Sequence, residues 1–373
     1  MEEKIRSGFV REPKALTKSQ RRNKILLLLG ALLAFNFFVF GTIYLPIYKD
    51  GLKKTAENMG LSPDVERKIS PTSFPFQEIT IPYLRSRSYE SFLGEMGQLS
   101  QNGSYTSYLT SYNSDGLKIY GQLTVPIGEK PKDGWPAIVF VHGYILPQNY
   151  QTFVNYASYV DYLARSGFVI FKIDLRGHGD SEGEPGGGYY SGDYIVDTLN
   201  ARAALQNLDF INPGAVGLWG HSMAGNVIAR ALAVRPEIPA IVIWAGAVYT
   251  YEDFSEFRIE DNSYQRSPSD SPSRKRRSGM FDRYGQFDPN SSFWKQVPMT
   301  NYLSGIKGAI SLNHAVDDTV VDIRYSRNLN NLLDNTSIDH ELNEYVSGGH
   351  NFVGGIFDEA MGNTVEFFKK YLH

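Results

Sequence analysis

The stretch VGLWGHSMAGNVIARALA, residues 216–233, decides how the whole chain is read. An apolar, strand-like run ends at Gly220, and an alanine-rich helical pattern begins directly after Ser222. A serine between them could do no more than cap the helix. It could equally stand as a nucleophile on a sharp turn, where the first helical amides favour negative charge. Such a turn is crowded and needs small residues two before and two after the serine; Gly220 and Ala224 meet that need, and Gly225 adds clearance between helix and strand.

Working outward, PAIVFVH (136–142), FVIFKIDL (168–175), AIVIWAG (240–246) and GAISLNH (308–314) are continuous apolar, β-branched runs. Runs of that kind suit strands covered on both faces. Between and after them lie the helical patterns FVNYASYVDYLARSG (153–167), DYIVDTLNARAALQNL (193–208) and FDEAMGNTVEFFKKYL (357–372). SYTSYLTSY and LKIYGQLTVP, joined at SDG, read as a hairpin ahead of this series. Buried strands alternating with helices predict an α/β fold, a mainly parallel sheet with helices on both faces. Ligands of such sheets bind beyond the carboxyl ends of the strands, where Ser222 sits.

Composition narrows the function classes. The 373 residues carry a formal net charge of −3, and 42% are hydrophobic. That balance gives no reason to expect a nucleic-acid partner. The absence of cysteine excludes thiol catalysis, disulfides and cysteine zinc sites. No His/Asp/Glu group has a recognisable ligand spacing, so neither a metal nor a cofactor is expected.

One segment departs from the average. Residues 25–45, ILLLLGALLAFNFFVFGTIYL, are apolar throughout apart from one Asn, about the length of a bilayer-spanning helix. Lys18, Arg21, Arg22 and Lys24 precede it and Lys49, Lys53 and Lys54 follow. The expected organisation is a cytoplasmic basic tail (1–24), a single-pass transmembrane anchor in the lipid bilayer (25–45) and a proline-broken stalk and lead-in (46–103). A catalytic domain (104–373) follows, placed outside the cytoplasm by the positive-inside rule.

Serine is a poor nucleophile until an oriented base takes its proton. Of the histidines after Ser222, His314 ends a strand and His340 begins one, which gives both structural readings. His350, in SGGHNF, follows the last strand in a glycine-flexible loop from which an imidazole could reach Ser222. The acid should follow the preceding strand, where NHAVDDTVV offers Asp317 and Asp318; Asp322 reads as a helix cap and Asp253 as an outside candidate. Oxyanion donors are expected from the backbone amides of Met223, directly after the serine, and Tyr144, after the strand ending at His142. Asp174, Arg176 and His178 read as a turn network bracing the neighbouring loop.

Residues 247–307 form a long insertion. Its middle, NSYQRSPSDSPSRKRRSG, is a Ser/Pro/charged stretch expected to pack poorly, flanked by aromatic residues from Tyr249 to Trp294. Long insertions in compact domains are often lids, and this one is expected to be an aromatic cap over the site with a mobile middle.

In order, VFVHGY, DLRGHGDSEG, GHSMAG, NHAVDDTVV and GGHNF resemble the α/β-hydrolase superfamily, with the greatest likeness to the catalytic domain of the prolyl oligopeptidase family over about residues 105–372. The resemblance implies Ser222 as nucleophile, His350 as base and Asp317, first of the pair, as acid. Family peptidases often carry a propeller that sieves peptides, and residues 46–103 are too few for one. The resemblance therefore implies serine hydrolysis more firmly than peptidase action; with the anchor at 25–45, the expected protein is a membrane-anchored serine hydrolase of esters or short-peptide amides, working through an acyl-enzyme. A lipase, thioesterase or acyltransferase with the same triad is the alternative among enzymes, and a catalytically silent hydrolase-like binding module is the alternative outside them.

Overall fold

The computed structural model describes residues 75–266 and 268–373. The basic tail, the anchor at 25–45 and the first part of the 46–103 segment lie outside the described residues. Among the described residues no helix is long and apolar enough to cross a membrane.

One sheet of nine strands organises these residues, in the order β1-β2-β3-β5-β4-β6-β7-β8-β9. β1 (Gly97–Gln101), β2 (Tyr105–Ser114) and β3 (Leu117–Pro126) are antiparallel, and β3 joins β5 (Val169–Ile173) antiparallel. From β5 onward the sheet is parallel through β4 (Trp135–Val141), β6 (Ile211–His221), β7 (Ala240–Trp244), β8 (Ala309–Ala315) and β9 (His340–Tyr345). The hairpin expected around SDG is present, with Ser114 opposite Leu117.

Alternation along each strand feeds two cores. Ala137, Val139 and Val141 of β4 bury toward one face, and Ile138 and Phe140 toward the other. The first face is covered by α1 (Ile81–Ser86), α3 (Asp193–Gln206), α4 (Met223–Val234) and α7 (Arg324–Leu333); the second by α2 (Ala157–Arg165) and α8 (Gly355–Tyr371). Chain order reverses at β4, since β5 lies on one side of it and β6 on the other. The loops leaving β4 and β6 therefore meet at one end of the sheet, the place where a parallel sheet opens a crevice.

The described part of the stalk and lead-in packs on the domain: Ile79, Ile81 and Leu84 are fully buried in the same core as α3 and α4. Buried Arg230 of α4 donates to the Ile79 carbonyl, and Arg235 donates to that of Arg87 at 2.6 Å. The insertion's middle, 262–279, buries none of its described residues, as its composition suggests, but its second half is helical. Pro272–Tyr284 forms a helix, α6, started by Ser271, whose hydroxyl accepts from the Arg274 amide, with Pro272 in the first turn. Arg276 ties it to Asp193 at 2.6 Å and to the Ser191 hydroxyl at 2.8 Å, and its Met280 is buried. A short helix, α5 (Tyr251–Glu256), precedes it.

Candidate active site

Ser222 stands where β6 ends and α4 begins, with φ 56° and ψ −121°, a conformation unfavourable for a residue with a side chain. The turn is held from outside: the Ser222 amide donates to the Trp244 carbonyl of β7 at 2.8 Å. A Cβ on Gly220 would lie 2.9 Å from the Ala224 carbonyl oxygen, so the smallest residue is required there. The serine is therefore displayed by a strained turn, and its side chain caps no helix amide.

His350 reaches the same crevice from the loop after β9. That loop is clamped rather than free to swing. Phe352, at φ 48°, is buried against Trp244 with ring centroids 4.6 Å apart, and Tyr159 donates to the Asn351 carbonyl at 2.7 Å. Ser222 and His350 both line a depression of about 400 Å³, together with Gly143, Tyr144, Ile145, Tyr156 and Asp261.

The acid is where the expectation fails. His350 Nδ1 lies 2.8 Å from Asp318 Oδ2, not from Asp317. Asp317 is exposed, and its carboxylate accepts from the Gly349 amide at 2.8 Å. The reason is local turn chemistry. Asp318 Oδ1 accepts from the amides of Val320 and Val321 at 2.8 and 3.0 Å, which folds the side chain inward, while its neighbour points to solvent. His314 Nε2 lies 3.2 Å from Asp318 Oδ2, so two imidazoles share one buried carboxylate. Burial alone would raise the Asp318 carboxyl, but the hydrogen bonds from His314 and His350, the His350 charge and the Val321 amide hold it well below the usual carboxylate range. His314, given a purely structural reading in the sequence, thus touches the carboxylate that holds His350. His340 pairs with Asp334 at 3.0 Å, away from the site. Asp253 accepts from Asn328 at 2.7 Å, and Asp322 binds Arg324.

The two amides expected as oxyanion donors belong to Met223 and Tyr144. Met223 opens α4, so its amide has no intrahelical acceptor by position. Tyr144 follows Gly143, where a Cβ would lie 2.9 Å from the Tyr156 hydroxyl and 3.0 Å from the His221 carbonyl oxygen. Gly143 thus packs closely against the residue before Ser222, and Tyr144 lines the same depression as Ser222.

A hydrogen-bonded chain that the sequence reading missed joins these parts. Burial, with His350 beside it, depresses the His221 imidazole to about 3, so the ring is neutral. Its Nε2 faces the His350 carbonyl at 2.8 Å and must donate there. Nδ1 must then accept, which makes the Tyr156 hydroxyl the donor at 2.7 Å, and the Gly143 amide donates to that hydroxyl at 3.0 Å. One ordered line of protons thus runs from the strand end beside Tyr144 to the loop carrying His350. The visible signal was a histidine directly before the serine, at the end of a buried strand. Asp174 braces the loop after β4, accepting from Tyr150 at 2.6 Å and Thr152 at 2.5 Å.

The insertion touches the mouth differently from the aromatic cap expected. Tyr249, Tyr251, Phe293 and Trp294 are buried in the core, and none of them lines the depression. The insertion contributes Asp261 and Ser263 instead.

A family model described as the alpha/beta hydrolase fold matches residues 136–284. A thiohydrolase of Aspergillus aculeatus is 32% identical over 128 residues, 34% of this chain and 37% of that protein, so the match spans little more than a third of the relative. Acetyl xylan esterase 1 from Thermoanaerobacterium sp. superposes with a TM-score of 0.52 at 19% identity, over 78% of this chain and 92% of that one. A puromycin-hydrolyzing peptidase of Mycobacterium tuberculosis superposes with a TM-score of 0.55 at 17% identity, over 73% of this chain and 40% of that one. An esterase and a peptidase thus share this fold, which by itself does not choose between their chemistries.

Proposed function

Because the chain has the α/β-hydrolase fold, we propose that it is a serine hydrolase of small esters, thioesters or short-peptide amides. The observation that carries the reading is the convergence of a strained, displayed Ser222 with His350, whose Nδ1 is held by buried Asp318 at 2.8 Å. His350 Nε2 takes the Ser222 proton as Oγ attacks the carbonyl carbon, and Asp318 keeps the other ring nitrogen protonated. The amides of Met223 and Tyr144 receive the oxyanion. Collapse of the intermediate breaks the bond to the leaving alcohol, thiol or amine, which takes the proton from His350 and departs. Water then repeats the sequence on the acyl-enzyme, releasing the acid and returning the proton to Ser222.

The reading includes a membrane anchor at residues 25–45, with the hydrolase outside the cytoplasm. Its support is the length and apolarity of that segment. Protease added to intact cells should reach the catalytic domain; full protection until lysis would place it on the other side.

A pre-steady-state experiment tests the chemistry. Mixing enzyme with an excess of a chromogenic short-acyl ester should release about one equivalent of leaving group in a burst, followed by slower turnover. Turnover that survives Ser222→Ala would overturn the mechanism.

A further inference from the structure

The depression beside Ser222 has a one-sided charge. Among the described residues, Asp261 is the single ionisable acid or base in its lining besides tyrosine and the two histidines, and no lysine or arginine takes part. Asp261 Oδ1 is occupied by the Ser263 amide at 2.8 Å and the Ser263 hydroxyl at 2.5 Å. Among the described residues its second oxygen accepts no hydrogen bond. The segment carrying it is fastened to the mouth: the Gln265 amide donates to the Tyr144 hydroxyl at 3.1 Å, and the Tyr264 and Tyr144 rings meet with centroids 5.3 Å apart. Tyr144, Tyr156 and Tyr159 line the same depression. The field of Asp261 reaches the Tyr144 hydroxyl: burial raises that group most, the Gln265 amide opposes the rise, and Tyr264 and Asp261 add to it.

A carboxylate with a free oxygen among tyrosine rings is the chemistry that recognises an ammonium group. The same charge disfavours anionic substrates, because no cation in the lining compensates it. We propose that the site selects esters or amides carrying a cationic amine or quaternary ammonium on the acyl or the alcohol side, held by Asp261 beside the Tyr144 ring. The inference rests on the serine-hydrolase reading and adds the substrate class. A competing role exists, since Asp261 also closes the turn to Ser263. Asparagine performs that turn role equally through its own Oδ1, which makes Asp261→Asn the discriminating change.

Two matched pairs of substrates provide the test. One pair is the phenyl ester of γ-trimethylammonio-butanoate and its isostere with the nitrogen replaced by carbon. The other is acetylcholine and its carbon isostere. In each pair shape is constant and only charge differs. In at least one pair the cationic member should have a kcat/KM higher by on the order of tenfold. That ratio should fall to within about twofold in Asp261→Asn and shrink in high salt. Labelling of Ser222 by a fluorophosphonate in Asp261→Asn shows that the site is still assembled. Ratios near one in both pairs, or a ratio unaltered by Asp261→Asn, would overturn the proposal and leave the hydrolase reading intact. Failure of every ester, together with no labelling of the unmodified protein, would instead overturn the hydrolase reading beneath it.

Discussion

Replacing Asp318 by Asn separates the acid in the structure from the one expected in the sequence. The Asp318 carboxylate receives the Val320 and Val321 amides on Oδ1, and faces His350 Nδ1 and His314 Nε2 on Oδ2. In the amide variant, the side-chain oxygen can keep the two backbone contacts. The NH₂ group then replaces Oδ2 and sets donors against donors. His350 relieves the conflict by moving its proton to Nε2, and a protonated Nε2 cannot take the serine proton. A triad broken in this way loses about 10⁴-fold in kcat, or about 5 kcal/mol of transition-state stabilisation. Asp317→Asn keeps an oxygen for the Gly349 amide and lies in water, so its loss should stay below about fivefold. The assay is kcat/KM on a short-acyl nitrophenyl ester for both variants, with circular dichroism confirming that each is folded. Comparable losses, or an Asp318→Asn enzyme within tenfold of the unmodified protein, would refute the assignment.

Other outcomes follow from the same contacts. Because the Asp318 carboxyl is held below its unfolded value of about 3.9, it contributes stability that is present above about pH 4 and lost as pH falls further toward the folded value. Acid unfolding of Asp318→Asn, followed by fluorescence, should accordingly depend less on pH below 4 than that of the unmodified protein; parallel curves would contradict the shift. Tyr156→Phe leaves the Gly143 amide without its hydroxyl acceptor and His221 Nδ1 without its donor. It should lower kcat roughly tenfold with a smaller change in KM, and steady-state kinetics showing an unchanged kcat would remove the chain from the account. Arg276→Ala cuts α6 from Asp193 and Ser191, so limited trypsin digestion at Arg274 or Arg277 should accelerate while the thermal midpoint moves little. Equal digestion rates would show that other contacts hold the helix.

What the sequence revealed was whatever leaves a regular pattern. The run 216–233 placed the serine turn correctly, because an apolar strand, a required glycine and a helix start all coincide there. The parallel strands were legible as apolar runs for the same reason. Adjacent acids carry no such pattern: Asp317 and Asp318 differ only in which carboxylate folds back onto the following amides, and the pair Val320 and Val321 was a signal left unread. The insertion's composition hid a helix. Its charged middle forms α6 because Ser271 and Pro272 start a helix and Arg276 finds Asp193, a partner some eighty residues earlier. Its aromatic residues pack inward for a similar reason: Trp294 fills the core against Tyr251 and Phe293, a tertiary arrangement with no local signature. The chain through His221 and Tyr156 likewise joins residues 65 apart.

The central claim is that Ser222 is a nucleophile activated by His350, and covalent labelling tests it most directly. A fluorophosphonate probe should attach with one-to-one stoichiometry, and peptide mass mapping should place the adduct on Ser222. Ser222→Ala should take up no probe, and His350→Ala should react far more slowly. An adduct on another residue, or undiminished labelling of Ser222→Ala, would contradict the account.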